Sequence, residues 1–548
     1  MTTSDETIVV WHRTDLRVED NPALNRAAAR ARDEEATVQP VFVFDPQFYG
    51  TDSLACDGRI AFLHECLSSL REQYRERGSE LAFLYGAPAE RLATLLSDSN
   101  AERMYLCHTR HPTARYGARR DDEFEARITD LVRAENQRDG NIKTEAVPEG
   151  AIVFDAQKRG IDSRERWAEQ CETYLSSECH SSPDSDLLVS KADACTSDVT
   201  IDEIEAQHDI SSAKRDVPRG SHRAAHRRLD WFTRAKTMDQ YPGGISPPAE
   251  AEQRTSRLSP YLRFGVLSVR QIYQAGIERG GAERARDLFE SRLYWNRHFR
   301  QKLADNPTLT KEAVNPVLRG LYADSDERDS ELITAWKEGQ TGFPMVDASM
   351  RALTETGWLN FRMRAMVASF FGYILKQWWR IGADFMYYHL IDADPAINYA
   401  QWQMQCGLVG CHPNRIYNPW KQARENDPTG EFIREYVPEL RDLPEEFLAR
   451  SERAPIHVQH ECGVTIGNVS DADYPYPIVD FEREATIARE QFSQFADQAR
   501  AALDDPETRR RASLSQDRRR HMSNEAENKS VEDGQSIDEQ SQRRLADF

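Results

Sequence analysis

Over the first 150 residues, short apolar runs alternate with amphipathic stretches. IVVWHR, VQPVFVF, ELAFLYG and RMYLCHT each hold four to seven residues rich in β-branched and aromatic side chains. Such runs read as strands buried on both faces of a parallel sheet. Between them the spacing predicts helices over 22–32, 88–97 and 113–135, and another carried by Ile60, Leu63, Leu67, Leu70 and Tyr74. A strand–helix alternation of this kind builds a doubly wound parallel sheet.

The pattern then changes twice. SSECHSSPDSDLLVSKADACTSDVTIDE, within 171–220, is polar, acidic and serine-rich, as expected of a connection between domains. From about 221 to 483 the periodicity is helical throughout. The expected layout is an α/β doubly wound parallel-sheet domain at 7–150, an interdomain connection at 151–220 and an all-α domain at 221–483. A charged C-terminal extension follows at 484–548, and its last forty or so residues, which include DPETRRRASLSQDRRRHMSNEAENKSVEDGQ, read as a disordered tail.

Composition adjusts this picture in three ways. A chain of 548 residues exceeds one ordinary core, and ten tryptophans with 39% hydrophobic residues argue for a folded body. The net charge of −20 would ordinarily count against nucleic-acid binding. Arginine far outnumbers lysine, however, and the acids are spread along the whole chain, the look of a surface adapted to high salt, so a local basic groove stays open. The nine cysteines include no CxxC and no zinc-spaced His/Cys set, and the closest pair, Cys406 and Cys411, does not make an iron–sulfur cluster. The N-terminal MTTSDETIVV lacks a leader pattern and no run of some 18 apolar residues occurs, so the expectation is a soluble, cytoplasmic protein, a monomer, with no membrane contact and no metal.

Three segments carry candidate chemistry. TSRLSPYLRFG (255–265) packs hydroxyls and a guanidinium ahead of Pro260, which taken alone reads first as a plain helix cap by Ser259 and also fits a phosphate-binding loop entering a helix. GWLNFRMRAMVASFFGYILKQWWR (357–380) reads as one long core helix bearing Arg362 and Arg364, which need carboxylate partners. LIDADPAINYAQWQMQCG (390–407) supplies Asp392 and Asp394, then a helix from Pro395 that sets Asn398 and Trp402 one turn apart.

With these motifs the chain resembles the photolyase/cryptochrome flavoproteins. WHRTDLRVEDNPAL (11–24), TSRLSPYL, KEGQTGFPMVDASMRALTETGW (337–358), LIDADPAINYAQWQ, RIYNPWKQARENDPTGEFIREYVPEL (415–440) and YPYPIVD (474–480) follow in the family's order, over about residues 7–483. The resemblance implies FAD in the helical domain. Thr255, Ser256, Arg257, Leu258 and Ser259 would cradle its phosphates, Asp392 would meet the flavin edge while pairing Arg364, and Tyr241, Ala393 and Asp394 would complete the pocket. Asn398 would face flavin N5, where an amide carries no labile proton. Trp402 and Trp379 match the inner and middle members of the family's electron relay. Asp326 stands at the outer position, with Tyr322, Trp378 or solvent as substitutes.

On the substrate side the resemblance implies DNA containing pyrimidine dimers, with the lesion flipped into the pocket. Trp295 matches a stacking tryptophan, but Arg292 replaces the glutamate of dimer-repair enzymes and Met404 replaces a second stacking tryptophan. The histidines of (6-4) repair enzymes are absent near Asn360, Phe361 and Ala365. Arg292, Arg297, Arg300 and Lys302, joined by Arg362, Arg415 and Lys421, suggest a phosphate-contacting rim. A second, antenna chromophore is expected near Phe42, Asp45 and 110–121. The implied activity is light-driven splitting of cyclobutane pyrimidine dimers, with a cryptochrome-like blue-light sensor as the alternative.

Overall fold

In the computed structural model, the described residues are 6–50, 54–97, 103–136, 141–154, 164–324, 328–410, 415–468 and 471–512. Five parallel strands, β1 (Glu6–Trp11), β2 (Thr37–Phe44), β3 (Ala82–Tyr85), β4 (Arg103–Arg110) and β5 (Asn141–Pro148), form one sheet in the order β3-β2-β1-β4-β5. Period-two alternation assigns the two faces. Ile8 and Val10 pack with the helices Pro22–Asp33 and Asp57–Glu76, whereas Val9 and Trp11 pack with Pro88–Ser97 and Tyr116–Asn136.

The four predicted strands and their helices are present. β5 is the strand that hydrophobic pattern did not reveal. It pairs with β4 from Arg103↔Asn141 to Arg110↔Pro148. NIKTEAVP lies at the sheet's edge and leaves Lys143, Thr144 and Ala146 exposed, so its composition carries no buried-strand signal. The polar connection then runs along the sheet domain, with the Val189 N–H donating to Val38 and the Asp198 N–H to Phe83.

The remainder is helical, as its periodicity implies. The 357–380 stretch is not one helix, however. An α-helix, Phe361–Ser369, passes into a π-helical turn, Phe370–Ile374, and the chain reverses through Lys376 at φ +52° before a new helix, Trp379–His389. The wider turn carries Phe371 against Trp336 and Trp402, with ring centroids 4.6 and 5.8 Å away. The extension starts as a 22-residue helix, Phe481–Ala502, that buries Ala485, Ala488 and Phe492 in the helical core. The helix Pro506–Ala512 follows, and Arg510 donates to the Asp305 carbonyl at the end of the helix Glu283–Asp305. The expected disordered tail, which included DPETRRRAS, is overturned at its start, because 506–512 is this docked helix; from 513 onward it lies outside the described residues. No described helix is long and apolar enough to cross a membrane.

Candidate functional site

The two acids of the IDADPA stretch have different duties. Asp394 is the N-cap of the helix Pro395–Gln405: its Oδ1 accepts from the Ala396 and Ile397 N–H groups at 2.8 and 3.4 Å, and Pro395 occupies the first turn, where no donor is needed. Asp392 looks outward from that helix. Its carboxylate accepts from Arg364 at 3.1 and 3.2 Å and from the Ser259 hydroxyl at 2.6 Å. Burial alone would raise Asp392, but Arg364, Ser259 and Arg257 together hold its carboxyl below the usual range. One carboxylate thereby draws the 255–259 loop, the Phe361–Ser369 helix and the 390s segment to one place. Ala393 lies between, buried, its carbonyl accepting from Arg263 at 2.7 Å.

Arg362 does not share this carboxylate: it reaches the Ser246 hydroxyl and lies 6.0 Å from the Tyr417 ring. Nor does Ser259 cap a helix. It is the first residue of the helix Ser259–Arg263, with Leu258 at the N-cap position, and its hydroxyl is spent on Asp392.

The 255–259 loop is bent by Arg257, at φ +50°, a conformation rare outside glycine and asparagine. Arg228, which the sequence reading missed, straps it down by donating to the Ser256, Thr255 and Glu252 carbonyls at 2.8, 2.8 and 3.0 Å. The Thr255 hydroxyl donates to Ala251, and the Ser256 hydroxyl accepts from the Leu258 N–H. Burial, and then the neighbouring Arg257, pushes Arg228 down to about 10. Burial likewise lowers Arg257, whose guanidinium covers Trp358 at 4.1 Å and whose Nε is buried without a partner. Two desolvated guanidinium groups beside a helix entry leave cationic charge that, among the described residues, the half-exposed Glu252 and the shared Asp392 offset. A diphosphate suits that donor set.

Asn398 follows one turn beyond the cap, 7% exposed. Its NH2 group donates to the Ala383 carbonyl at 2.9 Å, which fixes the amide and leaves Oδ1 as the accepting end. Trp402 is buried one turn further, with Nε1 lacking a partner. Gly382 admits the indole: a Cβ there would stand 2.3 Å from Trp402 Cη2. Trp402 meets Trp336 edge to face at 6.0 Å, while Trp379 meets Tyr399 at 6.1 Å. The expected outer relay position, Asp326, lies outside the described residues.

Tyr241 is buried edge-on to Phe232 and Phe289, at 5.5 and 6.0 Å. Burial raises its phenol, and Arg292 beside it acts in the opposite direction. Trp295 is half-buried, stacked on Phe299 at 5.3 Å, and Met404 is half-buried against the same cluster. The expected phosphate rim is overturned in part: Arg415 and Lys421 are exposed and Arg292 and Arg362 half-buried, but the other three members are not on the surface. Arg297, Arg300 and Lys302 are buried. Arg297 and Arg300 both pair with Glu149, Arg300 also reaches Asp394 at 2.6 Å, and His111 approaches Glu149 at 3.1 Å. Periodicity does not separate these arginines from Arg292, which is half-buried, because their partner arrives from the end of β5.

In the expected antenna region, Asp45 accepts from Tyr116, and Asp121 binds Arg13 and Arg120, whose guanidinium groups lie 4.9 and 5.5 Å from the Trp11 ring. Among the described residues no group of His, Cys, Asp and Glu is arranged to hold a metal.

Comparison with known proteins bears on this arrangement directly. Residues 8–152 match the DNA photolyase family, and residues 289–494 match the FAD binding domain of DNA photolyase. The chain is 31% identical to a deoxyribodipyrimidine photo-lyase of Synechococcus sp. over 516 residues, covering 91% of this chain and 98% of that protein. It is 27% identical to Cryptochrome-2 of Arabidopsis thaliana, covering 87% of this chain and 77% of that one. A solved cryptochrome from Synechocystis sp. superposes with a TM-score of 0.74 at 24% identity, over 89% of this chain and 100% of the other, a likeness of fold. A five-stranded parallel sheet joined to a helical FAD-binding domain, matched almost end to end by such relatives, makes this chain a member of the photolyase/cryptochrome family.

Proposed function

We propose that the protein is a light-driven, FAD-dependent DNA repair enzyme that splits cyclobutane pyrimidine dimers. Bound FAD would supply the chemistry, an electron delivered under light to a flipped-out lesion. The protein's residues would hold and orient it. Thr255, Ser256, Arg257, Leu258 and Ser259 would take the diphosphate, with Arg228 fixing the loop. Asp392, clamped by Arg364, would meet the flavin edge, and Tyr241, Ala393 and Asp394 would support the pocket.

The observation that carries the reading is the orientation of Asn398. Its NH2 is committed to Ala383, so Oδ1 is the end offered to a flavin. An oxygen acceptor there suits a flavin protonated at N5, and an amide neither gives nor takes that proton. Trp295 and Met404, the latter on this same helix, are half-buried in one apolar cluster and would form the wall against which a flipped base stacks.

A second reading, a blue-light sensor acting through partner binding, gains from one observation. Arg297 and Arg300 are tied to Glu149, and the buried Lys302 lies beside them, which thins the expected DNA rim. The excess of acids over bases, 91 to 71, makes molar salt the first condition to try. The test is to illuminate the reduced, flavin-loaded protein with an oligonucleotide containing a single dimer, in high salt, and to count intact dimers. Loss of dimers in light and not in darkness is expected. Full flavin content with no loss of dimers, together with a light-dependent change in partner binding, would overturn repair in favour of the sensor.

A further inference from the structure

Trp379 is only 3% exposed, so solvent does not reach it, and the ring it meets is Tyr399, edge to face at 6.1 Å. Tyr399 is itself fully buried. Its hydroxyl donates to Asp384 Oδ1 and accepts from Arg115, and Arg115 also reaches Asp384 at 3.2 Å. Arg380 lies 3.6 Å from the other carboxylate oxygen. Half-buried Tyr387 lies 5.8 Å beyond Tyr399, under Arg59 and Arg115. Tyrosine, carboxylate and arginine thus meet where the 110s segment of the sheet domain touches the helical domain.

We propose that Tyr399 is the electron donor to Trp379, with Asp384 as the acceptor of its proton. This rests on the FAD-dependent reading above, and it adds a residue and a proton path that the family's tryptophans do not supply here.

The step balances as follows. Bound FAD, once excited, would supply the one-electron oxidant, and the electron given up by the chain would leave a hole on Trp379 as an indole radical cation. Tyr399 gives Trp379 one electron, its O–H bond breaks, and the proton passes along the existing hydrogen bond to Asp384. The products are neutral Trp379, a neutral phenoxyl radical at Tyr399 and a protonated Asp384. A phenol resists losing an electron while it keeps its proton, so a hydrogen-bonded base is the required companion. Asp384 meets that need because it already accepts the phenol's hydrogen bond, and an oxidised phenol is a far stronger acid than a resting one. Tyr322, a substitute considered for the outer position, donates at 2.6 Å to the side-chain oxygen of Gln491, and it is Tyr399 whose ring meets Trp379.

The test is flash photolysis of the oxidised holoprotein, following the tryptophan and tyrosine radicals by transient absorption and by electron paramagnetic resonance. In the unaltered protein a neutral tyrosyl signal should rise as the tryptophan radical decays, several-fold more slowly in heavy water. Tyr399→Phe should abolish that rise and lengthen the tryptophan radical's life several-fold. Asp384→Asn should keep the phenol in place yet slow the rise, and it stands in if Tyr399→Phe does not fold. A tyrosyl signal that persists in Tyr399→Phe, or a decay insensitive to both variants and to heavy water, would overturn the proposal and leave the flavin reading intact. A purified protein without flavin, or one forming no tryptophan radical, would overturn both.

Discussion

Asp392→Ala is the sharpest test of how the site is assembled. The Asp392 side chain is 6% exposed and accepts two hydrogen bonds from Arg364 and one from Ser259. Removing one partner of a buried ion pair costs about 3–5 kcal/mol, mostly because a charge is left buried and unpaired. Arg364 is 24% exposed and keeps its bond to the Leu359 carbonyl, so water relieves part of that cost. The expected destabilisation is therefore near the lower end, about 3 kcal/mol. Arg364→Met should cost a similar amount, since it strands the carboxylate. The double variant should cost less than the sum, with a coupling of about 1–3 kcal/mol. Urea unfolding of the flavin-free protein by tryptophan fluorescence measures all three, and flavin absorbance after gel filtration reports FAD retention. Because Asp392 is held below its ordinary range, its contribution is present at neutral pH and is lost as the pH falls through the folded value. The gap between the unaltered protein and Asp392→Ala should therefore close in acid, below about pH 4. A cost under about 1 kcal/mol, or strictly additive singles, would refute the view that this pair holds the three segments together.

Three further outcomes are expected. Arg300→Met leaves Glu149 with Arg297 and His111 but takes from Asp394 the guanidinium that pairs with it, so it should lower stability by about 3 kcal/mol, read as a shift in the urea midpoint. Gly382→Ala drives a methyl into Trp402 and should cost about 1–3 kcal/mol, with a change in tryptophan emission; an unchanged spectrum would mean the indole sits elsewhere. Asp15 is buried, which alone would raise it, but His12, His111 and hydrogen bonds from the Arg13 N–H and Thr109 hydroxyl hold it at about 2. Its contribution, about 2–3 kcal/mol, is present above the unfolded carboxyl range and vanishes as the pH falls from about 4 to 2, so Asp15→Asn should lose less stability than the unaltered protein across that interval.

How far the molecule was legible differs from element to element. The buried strands β1 to β4 were read correctly because a strand covered on both faces must be a continuous apolar run, whatever surrounds it. β5 was missed because its edge stays in water and so holds Lys143 and Thr144, whereas the opposite edge, β3, is covered by the 197–198 segment of the connection and stays apolar. The break after Ser369 was also unreadable. FFGYI and LKQWW have no proline, and only the fit of Phe371 against Trp336 and Trp402 accounts for the π turn. The IDADPAIN segment was partly legible. Asp before Pro is a local cap signal, whereas the choice of Arg364 for Asp392 and of Arg300 for Asp394 needs three dimensions.

By itself the chain's order of residues determined the α/β-then-helical layout, the start of the helix at Pro395 and the presence of Asn398 and Trp402 on one face of it, because each follows from local spacing. Tertiary structure alone decided which charges are satisfied. Arg297 and Arg300 look like a phosphate-seeking surface in a linear reading, and they are buried because Glu149 reaches them across some 150 residues. Tyr399 likewise became a candidate donor only when Arg115 and Asp384 converged on its hydroxyl. Charge pairing and ring contact depend on distance in space, and residue spacing along the chain encodes that only within a helix or a strand.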